Sequence, residues 1–327
     1  MERQIPAISG FDSDDLRVVQ LFYPFAFEQT MRGIQQQIRF AHYSSAEAAM
    51  RILQSNQVWM RKASAMNDFR EIDYGKECLI GAYASDTGKR LKAALEEMFQ
   101  GITGDIEERF NAWYPHFENG TFLTSISEHD PSEDRIGRLS MWRAYGGTTG
   151  VAVVLRGTSF LAPSDALKAY TSPVAYLSHA QFQREFDRLA EGIISNAEFV
   201  KSRGREEVLA NIFNAFRMAT VCTKHPGFHE EKEWRVIYNP AWQQSDRITS
   251  SVEVIRGVPQ IVQKIPLVDV PEEGLVGITI PDLVERIIIG PTDFPLEIRE
   301  ATIELLKSKG VANPSEKVII SDIPLRH

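Results

Sequence analysis

The order in which extended and helical patterns follow one another most restricts the fold of this chain. Short apolar runs typical of β-strands occur in groups, and long stretches with helical spacing separate those groups. A doubly wound parallel sheet would need strands and helices in strict alternation. The pattern therefore predicts an α+β fold.

The first part of the chain illustrates this grouping. A capping residue at Asp12 or Ser13 precedes the first helical stretch. In chain order, the patterns predict a helix from about Asp14 to Gln36, a strand over residues 38–43, a helix over 44–55 and a second strand over 57–60. A polar loop over 63–71 follows, so two strands precede the first long helical stretch.

Two long helical stretches interrupt the later strands. The first runs from 72 to about 117, with breaks at 86–88 and 101–104, and the second from about 180 to 223. Further extended runs are predicted at 121–127, 150–156, 174–178, 234–238, 252–256, 260–267, 285–290 and 317–321, with a helix over 295–309. No linker, repeat or low-complexity run divides the chain. We therefore expect a single domain over 1–327 with helical insertions at about 72–117 and 180–223.

Composition limits the class of protein. The 327 residues are 43% hydrophobic and 24% charged, which is typical of a folded chain and excludes global disorder. A net charge of -8 argues against a protein dominated by contacts to a phosphate backbone. Two cysteines are too few for a disulfide framework, so Cys78 and Cys222 are expected to be free in a reducing compartment. With no apolar run near the roughly 20 residues of a membrane span and no signal-peptide pattern, we expect a cytoplasmic protein without a membrane partner.

Several catalytic motifs are absent from the sequence. It contains no GxGxxG, GxxxxGK[ST], GxSxG or HExxH pattern. These absences argue against Rossmann dehydrogenases, P-loop kinases, common serine hydrolases and zincin proteases.

The most polar extended run, KHPGFHEEKEWRVIY, covers residues 224–238. In an extended chain, residues two apart share a face, so Glu231 and Glu233 would point the same way, and Arg235 would continue that face. Neighbouring carboxylates repel, and the raised pKa of one suits it to acid–base chemistry or to a hydrogen bond with a ribose hydroxyl. A charged strand entrance exposed to water explains the same pattern equally well.

Other polar residues stand at the ends of predicted strands. His42 and Tyr43 end the first strand, where a histidine can hold a ligand hydroxyl or phosphate and a tyrosine can stack on a ring. A backbone-satisfied histidine and a core tyrosine are the more common alternative. Ser125 brings a hydroxyl to another strand end, where it orients a carboxylate or forms an ordinary cross-strand pair. Asn67 and Asp68 fit a turn before a helix.

A zinc site is weighed at Cys222, His225 and His229, which are spaced three and four residues apart. Pro226 and Gly227 interrupt the helical turn that would bring these side chains together. No second pair of cysteines or histidines lies nearby, so no metal site is expected.

A set of short motifs resembles a large bacterial family of unknown function. HYSS, NDFRE, MWRAYGG, EKEWR and ERIIIGP occur in that order between about Ile38 and Ile320. The family's usual loop, asparagine–aspartate–proline–phenylalanine–glutamate, appears here as residues 67–71. This loop lacks the proline and carries Arg70 before Glu71.

The chain also resembles, more distantly, the ADP-ribosyltransferase superfamily. The resemblance implies a small split sheet, antiparallel or mixed, that holds NAD and carries three signature positions on separate strands. His42 stands at the first position, Ser125 at the second, and Glu231 with Glu233 at the third. The histidine belongs to one branch of the superfamily and the Glu-x-Glu pattern to another, so the chain mixes the two.

The resemblance implies a role for each candidate residue. Glu233 would stabilise the cation formed as nicotinamide leaves, Glu231 would orient the acceptor, and Ser125 would brace Glu233. The remaining NAD contacts would come from His42, Tyr43, Arg61, Asn67, Asp68 and Arg235. NAD would be the substrate and a nucleic acid or protein the acceptor, as in a bacterial toxin or phage-defence effector.

Two alternatives come from other classes of function. Asp68, Glu71, Glu231 and Glu233 would together hold Mg²⁺ in a nuclease or phosphoesterase. A non-catalytic sensor would instead bind a nucleotide and signal through the inserted helices. Sensitivity to chelators distinguishes the first alternative from ADP-ribosyl transfer, and NAD hydrolysis distinguishes the second.

Overall fold

The computed structural model of the chain describes residues 13–66, 71–255 and 257–324, with only the backbone at Glu71. The chain divides into two compact units, each built from three separate segments. The helical unit comprises Met1–Arg32, Ser64–Gly120 and Pro173–Phe228, and the sheet unit comprises Gly33–Ala63, Thr121–Ser172 and His229–His327. The expected organisation as one domain with insertions stays a prediction.

The elements confirm a mixed α and β chain. The helices are α1 Ser13–Phe22, α2 Pro24–Gln36, α3 Ala46–Ser55, α4 Glu71–Ala84, α5 Asp86–Met98, α6 Ile102–Gly120, α7 Leu139–Met141, α8 Thr158–Leu161, α9 His179–Ser195, α10 Ala197–Ser202, α11 Arg205–Val221, α12 Ile280–Leu283, α13 Pro295–Ser308 and α14 Pro314–Lys317. The strands are β1 Arg39–Ser45, β2 Gln57–Lys62, β3 Phe122–His129, β4 Gly150–Arg156, β5 Tyr170–Pro173, β6 Ala175–Tyr176, β7 Thr223–Lys224, β8 Glu233–Tyr238, β9 Thr249–Ile255, β10 Val258–Pro266, β11 Val284–Ile289 and β12 Val318–Ile320.

Helix boundaries follow local chemistry. The helix predicted from Asp14 to Gln36 is in fact two helices, α1 and α2, because a proline at position 24 lacks the N–H that a continuous helix needs. The break predicted at 86–88 lies one residue earlier, at Ser85, whose hydroxyl accepts from the Gly88 N–H and caps α5. The break predicted at 101–104 lies at residues 99–101, because α5 ends at Met98 and α6 begins at Ile102.

The helical unit packs α4, α6, α9 and α11 through their apolar faces. Along α9, Phe182, Phe186, Ala190 and Ile193 recur at helical spacing and are buried, whereas the other side of the helix is polar. Helices α4 and α11 approach closely at Gly75, where an added Cβ would lie 2.4 Å from the Thr220 carbonyl oxygen. Strands β6 and β7 form a short parallel pair in this unit.

The sheet unit contains a ten-stranded, mostly antiparallel sheet. Its main path is β12-β11-β4-β1-β3-β2-β10-β9, and β8 pairs with both β3 and β5. Strands β11 and β12 pair in parallel, so the sheet is mixed. This mixed sheet was expected, whereas its assignment to the ADP-ribosyltransferase type belongs to the proposal below.

Strand β3 is the branching point of this sheet. One edge of β3 pairs with β8 along Phe122–Ser127. The other edge pairs with β2 at Phe122 and Leu123 and with β1 only from Ser127 to His129. Residues 124–126 therefore have no described strand partner on that edge, and a gap separates β1 from β2 beside them. This gap is called the β1–β2 gap below.

The sheet buries a different apolar cluster on each face. Phe40, Ile126 and Trp234 belong to one cluster, which α3 and α13 cover. Ala41 and Tyr43, which alternate with Phe40 along β1, belong to the other, together with Trp142. The Cβ of an alanine at Gly137, Gly150 or Gly290 would lie within 3.1 Å of the Trp142 ring, so this tryptophan needs three glycines around it.

Gly75→Ala tests the close approach of α4 and α11. The methyl group would collide with backbone, so we expect a loss of about 1–3 kcal/mol in unfolding free energy. Gly81→Ala in the same helix is the matched control, because its Cβ would meet nothing within 4 Å. The control should gain about 0.5–1 kcal/mol from helix propensity. Chemical denaturation measures both, and equal effects would contradict the close packing.

Candidate functional site

The pairing of β3 with β8 places four polar side chains on one face of the sheet. Ser125 lies opposite Arg235, and Ser127 lies opposite Glu233. Residues directly opposite in an antiparallel pair share a face, as do residues two apart in one strand. The predicted common face of Glu233 and Arg235 is therefore confirmed, and the four side chains form the candidate site.

A buried carboxylate is the centre of this site. Glu233 is only 6% exposed and Arg235 only 3% exposed. The Ser125 hydroxyl donates to Glu233 Oε1 at 2.5 Å. Arg235 donates to the same oxygen from Nε at 2.9 Å and to Oε2 from Nη2 at 3.3 Å. The serine and the guanidinium thus fix the orientation of the carboxylate and provide the counter-charge that burial requires.

Glu231 is placed differently from the sequence-based expectation. Residues Pro226–Glu231 form 3₁₀ turns, Lys232 has a left-handed φ of 43°, and β8 begins only at Glu233. The assumption that residues 231–233 are extended was therefore wrong. Contacts outside the strand hold Glu231 instead: Tyr145 donates its hydroxyl to Oε1 at 2.8 Å, and the Ser127 hydroxyl donates to the main-chain oxygen at 2.5 Å.

Arg138 links this turn to β3 by hydrogen bonds, a role that the sequence did not predict. Its guanidinium donates to the Ser127 hydroxyl at 2.7 Å, to the Glu230 carbonyl at 2.9 Å and to the Glu128 carbonyl at 2.6 Å. Its Nε pairs with Glu133 at 2.8 Å. A single arginine between an acidic loop and a short helix has no distinctive local pattern, so the sequence carries no signal for this role.

His42 contacts the site from the neighbouring strand. Its Nδ1 lies 3.0 Å from the Ser125 carbonyl oxygen. Burial lowers the pKa of His42 below the ordinary value of 6.5, and the hydrogen bond to Ser125 opposes that shift. A neutral imidazole that donates from Nδ1 to a carbonyl leaves Nε2 as a hydrogen-bond acceptor.

The register places His42 and Glu233 on opposite faces of the paired strands. Ala41 lies opposite Ser127, so Ala41 shares the face of Glu233, and His42 alternates to the other face. The ring nevertheless reaches the main chain of Ser125 along the edge of β3 where β1 has already diverged. A ligand that touches both His42 and Glu233 must therefore lie in the β1–β2 gap.

Tyr43 lies in the apolar core, as the alternative interpretation of the sequence had it. It is 7% exposed, its ring meets Trp142 edge-on at 4.8 Å, and its hydroxyl accepts from the Arg138 N–H at 2.9 Å. Burial raises the pKa of Tyr43 to about 12. Tyr43 therefore packs in the core against Trp142 and holds the backbone of Arg138, and its ring is not placed to stack on a ligand.

The remaining candidates are only partly described. Arg61 lies on β2, shares the face of Leu123 and hence of Ser125, and donates to Gln260 Oε1 from Nε at 3.2 Å and from Nη2 at 3.1 Å. Asn67 and Asp68 lie outside the described residues.

No metal cluster is found among the side chains that the structure describes. Within residues 13–66, 72–255 and 257–324, no three His, Cys, Asp or Glu residues gather closely enough to hold a metal ion. Cys78 and Cys222 are buried and form no disulfide. The alternative magnesium set includes Asp68 and the Glu71 side chain, which lie outside these ranges, so it is not tested.

Residues 141–236 match the model of a family described as a protein of unknown function (DUF2971). This agrees with the expected resemblance to a family of unknown function. The matched part includes Tyr145, Glu231, Glu233 and Arg235, but neither His42 nor Ser125. Comparison with curated proteins and with solved structures finds no match. Among the described helices, none has both the length and the apolar character needed to cross a membrane.

The lowered pKa of His42 predicts a pH dependence of stability. The unfolded chain takes up a proton near pH 6.5, whereas folded His42 resists protonation until a lower pH. Its contribution to stability is therefore complete above pH 6.5 and is lost as the pH falls through the folded pKa. Below pH 6.5, wild type should lose stability relative to His42→Gln by up to about 1.4 kcal/mol per pH unit. Denaturation of both at pH 7.5 and 5.5 measures this, and a constant difference would contradict it.

Proposed function

We propose that the protein is an ADP-ribosyltransferase that takes NAD as substrate and transfers ADP-ribose to a macromolecular acceptor, nucleic acid or protein. The hydrogen bond from the Ser125 hydroxyl to the buried Glu233 carboxylate carries this proposal. This hydrogen bond links β3 and β8. At these two positions, the resemblance to the ADP-ribosyltransferase superfamily implies a serine that orients a catalytic glutamate. The expectation came from the sequence, and the contact supports it.

The reaction needs a fixed negative charge beside one carbon atom. The bond between ribose C1′ and the nicotinamide nitrogen breaks, and its electron pair neutralises the pyridinium that leaves. A positive charge develops on the ribose until an acceptor oxygen or nitrogen bonds to C1′ and releases its proton. A preorganised carboxylate stabilises that charge without moving. Glu233, held by Ser125 and Arg235, is such a carboxylate.

NAD would bind in the β1–β2 gap, because only there could it reach both His42 and the Glu233 carboxylate. Neutral His42 offers Nε2 as an acceptor for a ribose hydroxyl, while Nδ1 is occupied by the Ser125 carbonyl. Arg61 on β2 supplies a cation for the pyrophosphate on the same face as Ser125. Arg235 serves mainly as the counter-charge of Glu233, so Arg61 is the better candidate for the phosphates.

Glu231 would act on the acceptor side of the reaction. Its carboxylate stands on the turn before β8 and accepts the Tyr145 hydroxyl, so it is positioned independently of Glu233. A carboxylate near the departing proton of the acceptor can orient the nucleophile and take up that proton. Binding of NAD and activation of the acceptor would thus depend on different residues.

Glu233→Gln tests the central role. Glutamine keeps the shape and one oxygen that can accept from Ser125 and from Arg235 Nε, but it removes the charge and the second acceptor oxygen, so nicotinamide release from NAD should fall about 10²-fold or more. The dissociation constant for NAD should change little, because the lost interaction acts in the transition state. Release is followed by chromatography and binding by calorimetry.

Glu47→Gln is the matched control, since Glu47 is exposed on α3 and pairs with Arg51 of the same helix. Glutamine also leaves the Arg235 charge without its partner, so thermal melting is measured for each variant and rates are compared where both are folded. Unchanged nicotinamide release in Glu233→Gln, or a wild-type protein that neither binds nor cleaves NAD, would contradict the proposal.

Tyr145→Phe separates the acceptor side from the cleavage of NAD. Without the hydroxyl, Glu231 loses its side-chain hydrogen bond from the π-helical turn Trp142–Gly146. Transfer of labelled ADP-ribose to the macromolecules of a cell lysate should drop about 10-fold or more, because misplaced groups lose orientation. Nicotinamide release in the absence of acceptor should remain. Tyr170→Phe is the control. An equal loss of ADP-ribose transfer and of nicotinamide release in Tyr145→Phe would instead indicate a general structural defect.

A further inference from the structure

The hairpin of β9 and β10 exposes an apolar face at the edge of the sheet. Strand β9 is the last strand of the path, and no described strand pairs with its outer edge. Val252 is 69% exposed, Val254 is 59% exposed, and Ile261, which lies opposite Val252 in β10, is 47% exposed. Single exposed apolar side chains are ordinary, but two valines and an isoleucine on one hairpin face at the edge of the sheet form a contiguous patch.

This edge lacks the features that protect edge strands from association. Charged residues, prolines and bulges usually prevent strand edges from pairing with other chains. In β9, TSSVEVI, the one charged residue is Glu253. It points to the face opposite Val252 and forms an ion pair with Lys264, whose Nζ lies 2.6 Å from Oε1. The outward N–H and C=O groups of β9 are therefore open to pairing with another strand, which offers acceptors and donors in a matching row.

We propose that the outer edge of β9 pairs antiparallel with β9 of a second copy of this chain, about a two-fold axis at Val252. Repulsion between the Glu253 carboxylates distinguishes this register from the neighbouring one. With the axis at Val252, each Glu253 lies opposite Ser251 of the other copy. The Ser251 hydroxyl, which donates to Glu253 of its own strand at 3.1 Å, would turn to donate to the carboxylate of the other copy. With the axis at Glu253, two carboxylates would lie opposite each other and repel. The axis at Val252 also pairs all seven residues of the strand.

The second copy fits this surface better than an unrelated peptide because β9 is its own complement. In the proposed register the two Val252 side chains meet at the axis, and Val254 and Ile261 of both copies extend one apolar face across four strands. On the other face, small hydroxyl residues meet the Glu253 carboxylates. The same surface patch serves both copies, as a closed two-fold interface requires. The proposed dimer does not depend on the proposed enzymatic activity.

Light scattering after size exclusion gives the first test on the full-length protein. Wild type should be a dimer at micromolar concentration. Val252→Lys should be a monomer, because two ammonium groups would meet at the axis and a lysine protects a strand edge. Val268→Lys should remain a dimer, since Val268 is similarly exposed, at 57%, but lies beyond the end of β10. A monomeric wild type, or a Val252→Lys protein that stays dimeric, would overturn the proposal.

Single cysteines test the register itself. In Val252→Cys, the two thiols lie opposite each other and should form an intermolecular disulfide, because opposed strand residues lie within the distance range that a disulfide needs. In Val254→Cys, each thiol faces Ser250 of the other copy and should not cross-link. The native cysteines are buried and do not compete. Cross-linking of Val254→Cys without cross-linking of Val252→Cys would overturn the axis at Val252.

Discussion

The need to keep one carboxylate charged inside the sheet determines how this part of the molecule is built. An ionised carboxylate removed from water is costly unless hydrogen bonds and a counter-ion replace the lost hydration. Glu233 obtains the counter-ion from Arg235 on its own strand and a hydroxyl from Ser125 on the neighbouring strand. The Ser125 contact depends on the register of β3 and β8, whereas Arg235 lies two residues from Glu233 in β8 itself. A shift of one residue would turn Ser125 away from the carboxylate.

A second set of contacts holds the turn that leads into β8. The Arg138 guanidinium donates to main-chain carbonyl groups of β3 and of the Glu230–Glu231 turn, and the main-chain N–H of Arg138 donates to the Tyr43 hydroxyl. The π-helical turn that presents Tyr145 starts with Trp142, whose ring is enclosed by glycines from three places in the chain. This packing explains physically why the motif ERIIIGP contains a glycine, Gly290, and why Gly137 and Gly150 lie on either side of MWRAYGG. Larger side chains there would displace the tryptophan and, with it, the hydroxyl that contacts Glu231.

The sequence predicted the parts that depend on local pattern. The α+β class, a helix break near residues 86–88 and the shared face of Glu233 and Arg235 follow from periodicity and turn-forming residues; the structure has the class and the shared face, and it places the break at Ser85. The contact between Ser125 and Glu233 was expected only through the resemblance to a known superfamily, because no local pattern predicts which strands will be neighbours.

Where prediction from the sequence was wrong, a competing local or distant interaction explains it. Pro24 divides a helix that otherwise has continuous helical spacing. Lys232 takes a left-handed conformation, which lysine rarely favours, because the turn before it is bound to Arg138 and Ser127. The role of Arg138 depends on residues about ninety positions away, and no sequence window contains both. Roles for Asn67 and Asp68 lie outside the described part of the chain.

The interleaving of the two units along the chain has a consequence for biosynthesis. The last segment of the helical unit ends at Phe228, before β8 to β12 have been synthesised. Strand β2 is made early, yet Arg61 in it pairs with Val262 of β10. During translation, the helical unit can therefore complete its core while β2 still lacks one of its two neighbours. Such distant pairings slow folding and leave strand edges exposed meanwhile, so chaperone dependence in the nascent chain should concentrate on the sheet unit.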